Sequence, residues 1–410
     1  MRHSYKSNLK WDDIMERRTG TISRGIRCPI IREGDDLAQI VTSSVLEAAE
    51  IENIELRDKD IIAMTESIVA RAQGNYASVD DIAADVKSKF GDDTIGVIFP
   101  ILSRNRFSIC LKGIAKGAKK VVLMLNYPSD EVGNELVSFD QLDEAGINPY
   151  TDVLSLERYR ELFGDNRHPF TNMDYVGYYE EVIKEAGAEV EVILANDARA
   201  ILNYTKSVLN CDIHTRVRTK RILKAAGAEK VFGMDEILTE SVNGSGYNER
   251  YGLLGSNKAT EDTIKLFPKE CTDLVKAVQK NVFEATGKHV EVMVYGDGAF
   301  KDPVGKIWEL ADPVVSPAYT EGLEGTPNEL KLKYLADNDF KDLSGEELKA
   351  AISQKIKEKN ENLVGDMASQ GTTPRRLTDL IGSLCDLTSG SGDKGTPVIL
   401  IQGYFDNYTN

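Results

Sequence analysis

Residues suited to chemistry are concentrated in one short stretch past the middle of the chain, Gly296-Asp297-Gly298-Ala299-Phe300-Lys301-Asp302. A carboxylate between two glycines lies on a backbone that can turn tightly and let a ligand come close. Carboxylate oxygens suit a hard cation, and a nucleotide phosphate suits that cation together with a lysine. Asp297, Lys301 and Asp302 are therefore candidates for a metal and phosphate site. An ordinary polar hairpin turn explains the same residues, since Gly-Asp-Gly is common in turns.

A strand is predicted directly before the segment 296–302. Valines alternate with other residues over 290–295, and this period-two pattern of β-branched side chains predicts a strand that ends at Gly296. A second buried strand is predicted at Ile61–Met64, followed by Thr65-Glu66-Ser67 and a helix that contains Arg71. Polar side chains between a strand end and a helix N-terminus suit phosphate or metal. The alternative is that Thr65 simply caps the helix.

Two other polar segments flank predicted elements. Gly34-Asp35-Asp36 precedes a helix that starts near Leu37. Its acids are candidates for binding a cofactor, and the alternative is that they only cap that helix. The serine- and glycine-rich segment 389–397 contains Ser391 and Asp393 and precedes a last predicted strand, Val398–Ile401. Residues 1–24 are expected to form a polar lead-in arm, and 329–363 a solvated helical pair.

Residues 95–245 repeat one pattern three times: a helix, a Gly-Ala pair, a short apolar strand and a polar residue at the strand end. Such units predict a parallel sheet with helical crossovers. Four polar residues should then cluster at its carboxyl edge, where these folds bind ligands: Asn126, Asn196, Asp197 and Asp235. Arg104 and Arg106 could hold a phosphate or carboxylate. The loop with Asn126 and Asp130 follows a strand end, where loops often carry function. The alternatives are a surface arginine pair and an ordinary Pro-containing loop. The chain has no GxGxxG or GxxxxGK[ST] sequence, so neither a standard dinucleotide site nor a P-loop is supported.

Composition excludes several classes of protein. The 410 residues carry a formal net charge of −16, which argues against nucleic acid and against a membrane surface as partners. No apolar run is long enough to span a bilayer, and the first ten residues have no signal-peptide core. The five cysteines lie far apart with no CxxC pair, so we expect reduced thiols and a cytoplasmic location. The four scattered histidines predict neither a histidine metal centre nor a catalytic triad.

Five segments, in order along the chain, resemble the γ-glutamyl ligase family of the deazaflavin coenzyme F420. They are GIRCPIIREGDDL (25–37), DKDIIAMTESIVARAQGN (58–75), GLLGSNKATEDTIKLFP (252–268), VMVYGDGAF (292–300) and DLIGSLCDLTSGSGDKGTPVILIQG (379–403). They cover about half of the chain. Short members of the family have no counterpart of residues 95–245.

The resemblance implies an α/β fold in which a mixed α+β ligase body, residues 1–94 and 246–410, is split by an inserted parallel-sheet α/β domain, residues 95–245, that could recognise the substrate. It implies an intertwined homodimer and an amide ligase that uses GTP (or ATP) with Mg²⁺ or Mn²⁺. In this reaction a substrate carboxylate becomes an acyl phosphate, which the amine of L-glutamate attacks. Catalysis would rest on positioning and charge neutralisation.

The resemblance also implies site residues. Asp297 falls on a metal-binding Asp of the family, and Lys301 stands near the position of a family Arg. Asn257 falls on a second metal Asp, with Glu261 or Asp262 nearby, and Glu66-Ser67 replaces a Gln-Lys pair. The predicted catalytic residues are Asp297 and Lys301, and the predicted metal ligands are Asp297, Asn257, Asp302 and Glu66. The predicted cofactor-binding residues are Gly34, Asp35, Asp36, Thr65, Glu66, Ser67, Arg71, Ser391 and Asp393. The predicted substrate-binding residues are Arg104, Arg106, Asn126 and Asp130.

These departures from the family pattern leave two other functions open. One is a ligand-binding or regulatory protein on a degraded ligase scaffold. Asn257 favours it, as does Gly298, which replaces a Thr that follows the metal-binding Asp in the family. The other is a phosphotransferase that passes phosphate to a small molecule and stops there. Metal-dependent nucleotide turnover is required of a ligase but not of a binding protein. The mass of the product distinguishes a phosphorylated acceptor from a glutamylated one.

Overall fold

The structure is a computed structural model that describes residues 19–168, 171–296, 299–301, 308–310, 316–369, 376–389 and 393–409. Asp297, Asp302 and Ser391 lie outside the described residues, as does most of the predicted lead-in arm. No helix within the described ranges is long and apolar enough to cross a membrane.

Helices and strands are mixed along the described part of the chain. The strands are β1 Ile22–Ile26, β2 Ile61–Thr65, β3 Tyr76–Ser78, β4 Thr94–Ile98, β5 Lys120–Leu125, β6 Leu154–Ser155, β7 Glu189–Leu194, β8 Ser207–Asn210, β9 Lys230–Gly233, β10 Asn257–Lys258, β11 Thr263–Lys265, β12 Glu291–Tyr295, β13 Ala299–Lys301, β14 Trp308–Leu310, β15 Ala318–Tyr319 and β16 Val398–Gln402. The α-helices are α1 Leu37–Ile51, α2 Glu66–Ala72, α3 Val79–Phe90, α4 Phe107–Lys116, α5 Phe139–Ala145, α6 Leu156–Phe163, α7 Tyr175–Glu185, α8 Arg216–Ala225, α9 Cys271–Thr286, α10 Leu332–Tyr334, α11 Gly345–Lys357 and α12 Leu377–Thr388.

The first sheet has five strands in the order β1-β16-β2-β12-β15. Strands β2 and β12 are parallel neighbours, whereas β16 runs antiparallel to β2. Side chains alternate between the two faces of each strand. One face, with Ile62 and Val292, packs on α1 and α9, while the other, with Ile61 and Met293, packs on α12. Burial on both faces explains why these strands are continuously apolar.

The second sheet has six strands in the order β6-β7-β5-β4-β8-β9. The five strands other than β6 pair in parallel, which confirms the prediction made from the repeats. Gly187 and Gly227 end their helices with φ of +93° and +96°, as a helix-closing glycine should. Gly117, in contrast, has φ −82°, and a Cβ there would lie 2.5 Å from the carbonyl oxygen of Ala83. Gly117 therefore allows α4 to pack closely on α3.

A small third sheet, β10-β11-β3, joins the two points at which the chain leaves and re-enters the region of the first sheet. A fourth pair, β13 and β14, forms an antiparallel hairpin after β12. The predicted lead-in arm is wrong at its end, because residues from Ile22 onward belong to β1. The predicted helical pair corresponds to α10 and α11, which share a small buried core of Leu335, Ile352, Ile356 and Ala368. The division into a ligase body and an insert stays a prediction.

Candidate active site

One edge of the five-stranded sheet gathers most of the segments singled out in the sequence. The last residue of β2, Thr65, is the register partner of Tyr295, the last residue of β12. Strand β16 enters from the opposite direction, and the amide of Thr65 donates to the carbonyl of Pro397 at 3.0 Å. The amide of Cys28, after β1, donates to the carbonyl of Gly395 at 3.2 Å. Four chain segments therefore meet at this edge, as expected where ligands bind to sheets with parallel strands.

The Gly34-Asp35-Asp36 loop packs against α2 beside this edge. Gly34, with φ +83°, donates its amide to the carbonyl of Ala72 at 2.9 Å. Asp35 Oδ2 accepts from the amide of Arg32 at 2.6 Å, and Asp36 Oδ1 accepts from the amide of Gln39 at 3.0 Å. The capping alternative is thus confirmed for Asp36, which begins α1. Both acids shape the loop, and contact with a cofactor stays a prediction for them.

Arg71 and Thr65 also hold local structure. Arg71 Nε donates to the carbonyl of Ile31 at 2.5 Å and fastens the same loop to α2. Thr65 Oγ1 accepts from the amide of Ser67 at 3.4 Å as the N-cap of α2. Asp393 lies exposed in the turn that precedes β16.

A buried ion pair between Glu66 and Lys265 lies where β2 becomes α2. Lys265 Nζ is 3.0 Å from Glu66 Oε1 and 3.2 Å from Oε2, and the two side chains are 10% and 7% exposed. A carboxylate taken out of water needs such a partner because its desolvation costs several kcal/mol. The pair is neutral as a whole, and a role of Glu66 as a metal ligand stays a prediction. The burial of Cys271, with the charge of Glu66 as a second cause, raises the pKa of that thiol to about 12.

Asn257 is connected to this ion pair through the small sheet. It is the register partner of Lys265 across β10 and β11, so their Cβ atoms point to the same side. The side-chain Nδ2 of Asn257 donates weakly to the carbonyl of Gly255 at 3.4 Å. Two acids follow Asn257 closely in the sequence. Glu261 and Asp262 are exposed at the hairpin tip, where they pair with lysines.

The described residues do not by themselves form a metal site. No group of three or more His, Cys, Asp or Glu side chains in the described ranges could hold an ion. Of the predicted ligands, Glu66 is paired with an ammonium and Asn257 is a neutral amide, while Asp297 and Asp302 lie outside the described residues. Lys301 is the register partner of Trp308 in the hairpin after β12.

A cavity of about 840 Å³ lies at the carboxyl edge of the six-stranded sheet. The predicted cluster is confirmed for Asn126, Asn196 and Asp197, which all line this cavity. It is wrong for Asp235, whose carboxylate is 3.3 Å from both Lys220 Nζ and Arg216 Nε. This difference arises because α8 supplies two cations beside the end of β9, and they pair with Asp235.

The predicted substrate residues are not brought together. Asn126 and Asp130 line the large cavity, whereas Arg106 lines a smaller one of about 160 Å³ and Arg104 lies exposed before α4. Asp130 is buried, and its carboxylate accepts hydrogen bonds from the amides of Leu102, Val132 and Asn134. Burial raises the pKa of Asp130 despite these bonds. Its carboxylate therefore shapes the loop after β5.

Sequence reasoning missed three side chains that the fold makes prominent: Lys265, Glu131 and Asp212. Lys265 occurs in a short strand that looks like a half-exposed edge, and its partner is 199 residues away. Glu131 accepts from the amides of Ile213 and His214, and burial raises its pKa to about 7. Asp212 follows β8, and the polar-residue-after-strand rule that selected Asn126 could have selected it as well.

The F420-0:gamma-glutamyl ligase family model matches residues 25–403. The chain belongs to that family. The match begins in β1 and ends after β16, and so spans every segment that meets at the edge of the five-stranded sheet.

Curated relatives match over shorter stretches. The chain is 38% identical over 85 residues to the coenzyme F420:L-glutamate ligase of Methanosarcina acetivorans, which is 20% of this chain and 30% of the relative. It is 36% identical over 70 residues to the coenzyme F420:L-glutamate ligase of Methanothermobacter thermautotrophicus, which is 16% of this chain and 26% of the relative. The matched stretches thus span under a third of the length of these relatives.

Among solved structures, eIF2B beta from Chaetomium thermophilum matches 47% of this chain and 48% of its own, with 11% identity and a TM-score of 0.22. A likeness at this level supports no argument about function.

Proposed function

We propose that this protein is a nucleotide- and metal-dependent amide ligase that joins L-glutamate, or another amino acid, to a carboxylate of a small molecule through an acyl phosphate. Family membership over residues 25–403 is the observation that carries the proposal. Within this family, relatives with matching stretches are coenzyme F420:L-glutamate ligases, so the precursor of coenzyme F420 is the acceptor to test first.

The geometry of the described edge supports a positioning role for its residues. The Glu66–Lys265 pair connects the end of β2 to the β10–β11 hairpin, and thereby sets where Asn257 lies. Because the pair is shielded from water, its geometry is held by strong, weakly screened electrostatics. We infer that it fixes the wall of the site beside the stretch that begins at Gly296, while the neutral pair leaves the net charge of that wall unchanged.

GTP or ATP and Mg²⁺ or Mn²⁺ are the proposed cofactors. The described residues do not complete a metal site, so no step of the reaction is assigned to a metal ion here. Asp297, Asp302 and Lys301 remain the residues through which metal and phosphate would be held. We also propose that the protein is a homodimer and that it is cytoplasmic. Light scattering of the purified protein would test the homodimer.

The decisive experiment offers the protein the coenzyme F420 precursor and L-glutamate with each nucleotide and each metal, and follows the products by mass spectrometry. We expect the acceptor to gain glutamyl residues only when nucleotide and metal are both present. Asp297→Asn should abolish this gain, while the matched exposed control Asp342→Asn should not. A phosphorylated acceptor without glutamate would point to a phosphotransferase. No nucleotide turnover with either metal would contradict the ligase and favour a binding protein.

A further inference from the structure

The large cavity of the six-stranded sheet lies at the place where such sheets reverse their order. Strand β4 is followed by β5 and β7 on one side and by β8 and β9 on the other. Residues one or two positions beyond the ends of four of these strands line the cavity: Phe99, Asn126, Asn196 and Asp212. Ligands bind at this switch point in doubly wound α/β sheets. The volume of about 840 Å³ suits a ligand of the size of a nucleotide.

Asp212 provides an unused acceptor in the cavity wall. Its side chain is buried, with the residue 3% exposed, and Oδ2 accepts from Thr219 Oγ1 at 2.5 Å and from Thr215 Oγ1 at 3.3 Å. Oδ1 is buried and has no hydrogen-bond partner among the described residues. A buried carboxylate oxygen without a donor is costly, and such a group marks a polar wall that protein atoms alone do not satisfy.

The N-terminus of α8 provides the complementary group for an anion. Thr215 precedes the helix and makes no side-chain capping bond, so the first-turn amides are open to a ligand. Thr215, Arg218 and Thr219 all line the cavity. Arg218 is exposed and forms no ion pair with any described residue, whereas the other arginine of the wall, Arg199, is paired with Asp197. Open helix amides beside an unpaired arginine suit a phosphate.

An aromatic ring and a strained backbone complete the wall. Tyr150 is 81% exposed at the rim, and its loop is held in place because Asn196 Nδ2 donates to the carbonyl of Pro149 at 2.9 Å. Phe99 lines the cavity with φ +57°, a conformation that is costly for a bulky residue and concentrates at functional sites. An exposed, anchored tyrosine offers a stacking surface for a flat heterocycle.

We propose that this cavity is a second, separate site that binds a nucleoside monophosphate or a closely similar nucleoside phosphate. The phosphate would lie at the N-terminus of α8 with Arg218, and the base would lie against Tyr150. The other acids of the wall do not oppose an anion strongly. Asp197 is paired with Arg199, and Asp130 and Glu131 are each engaged by backbone amides. The site is distinct from the edge of the five-stranded sheet, so it stands apart from the proposed ligase reaction.

Isothermal titration of the full-length protein with AMP and with GMP, in metal-free buffer, tests the proposal. We expect one site per chain for at least one of them, and an affinity about tenfold lower for Arg218→Ala, as for the loss of one charged contact to phosphate. Adenosine or guanosine should bind more weakly and be insensitive to Arg218→Ala. Tyr150→Ala should weaken both nucleotide and nucleoside. The matched control Arg221→Ala, on the same helix but outside the cavity wall, should bind as the parent does.

Three results would overturn the proposal: no binding of AMP or GMP at millimolar concentration, equal affinity in Arg218→Ala and the parent, or loss of binding in Asp297→Asn. The last would place the nucleotide in the ligase site instead. Arg218 and Tyr150 are exposed, so their variants should fold normally and keep the test clear even if Asp212→Asn does not. Absence of glutamyl product, in contrast, would contradict the proposed ligase and leave this titration unaffected.

Discussion

Lys265→Met tests the buried ion pair at the end of β2. The substitution keeps the length of the side chain and removes the ammonium that lies 3.0 Å and 3.2 Å from the two oxygens of Glu66. Because Glu66 is 7% exposed, its charge cannot be taken up by water. Removal of one partner of such a pair costs about 3–5 kcal/mol of unfolding free energy. We expect this loss in urea unfolding at neutral pH, and a smaller loss in acid, where a proton replaces the ammonium.

Two variants make this measurement interpretable. Lys258→Met removes the partner of Glu261 in the same small sheet, but there the carboxylate side chain is 85% exposed, so its loss should stay within about 1 kcal/mol. Glu66→Gln combined with Lys265→Met removes both charges and should be more stable than Lys265→Met alone. The reasoning fails if Lys265→Met unfolds like Lys258→Met, or if adding Glu66→Gln brings no recovery.

Three further predictions concern other parts of the molecule. Burial raises the pKa of Glu131 to about 7 from 4.5, so the contribution of Glu131 to folding stability is full below pH 4.5. About 3 kcal/mol of that contribution is lost as the pH rises above 7. The unfolding free energy of Glu131→Gln should lack this decrease between pH 4.5 and 7, and an unchanged decrease would contradict the prediction. Of the five cysteines, Cys28 alone is not fully buried and should react first with a thiol reagent, as peptide mapping would show; earlier labelling of Cys110 would contradict this. Deletion of residues 79–262 should leave a folded five-stranded sheet, whereas deletion of residues 95–245 should give an aggregating chain, which circular dichroism and gel filtration would distinguish.

Local patterns predicted the elements well because their signals lie within a few residues. Val290–Tyr295 and Ile61–Met64 were expected as strands from their apolar, β-branched residues, and they form β12 and β2. The repeated helix, Gly-Ala and strand units predicted the parallel sheet, since each unit buries one apolar helix face and one strand. Asp36 was correctly given a capping alternative because capping depends only on the next three residues.

The side chains of the sites were harder to predict because their partners are distant in sequence. In the sequence Glu66 is an acid with no neighbouring base, and only the folded chain brings Lys265 against it. Asp235 satisfied the same strand-end rule as Asn126 and Asn196, yet α8 turns two cations toward it. The rule identifies which edge of a sheet a residue follows, but not whether a neighbouring element already satisfies its charge.

The predicted boundary at 94/95 separates helix α3 from the core in which this helix packs. Helix α3 lies before the predicted boundary at 94/95, yet its buried face, with Ile82, Val86 and Phe90, packs in the core of the six-stranded sheet. Strand β3 directly precedes α3, and its last residue, Ser78, is the register partner of Thr263 in β11. The chain thus leaves and re-enters the region of the first sheet at adjacent points, and we propose that an insertion begins and ends at this strand pair. A deletion that begins and ends at this strand pair removes α3 together with its core. A deletion that begins at 95 leaves the apolar face of α3 exposed to water.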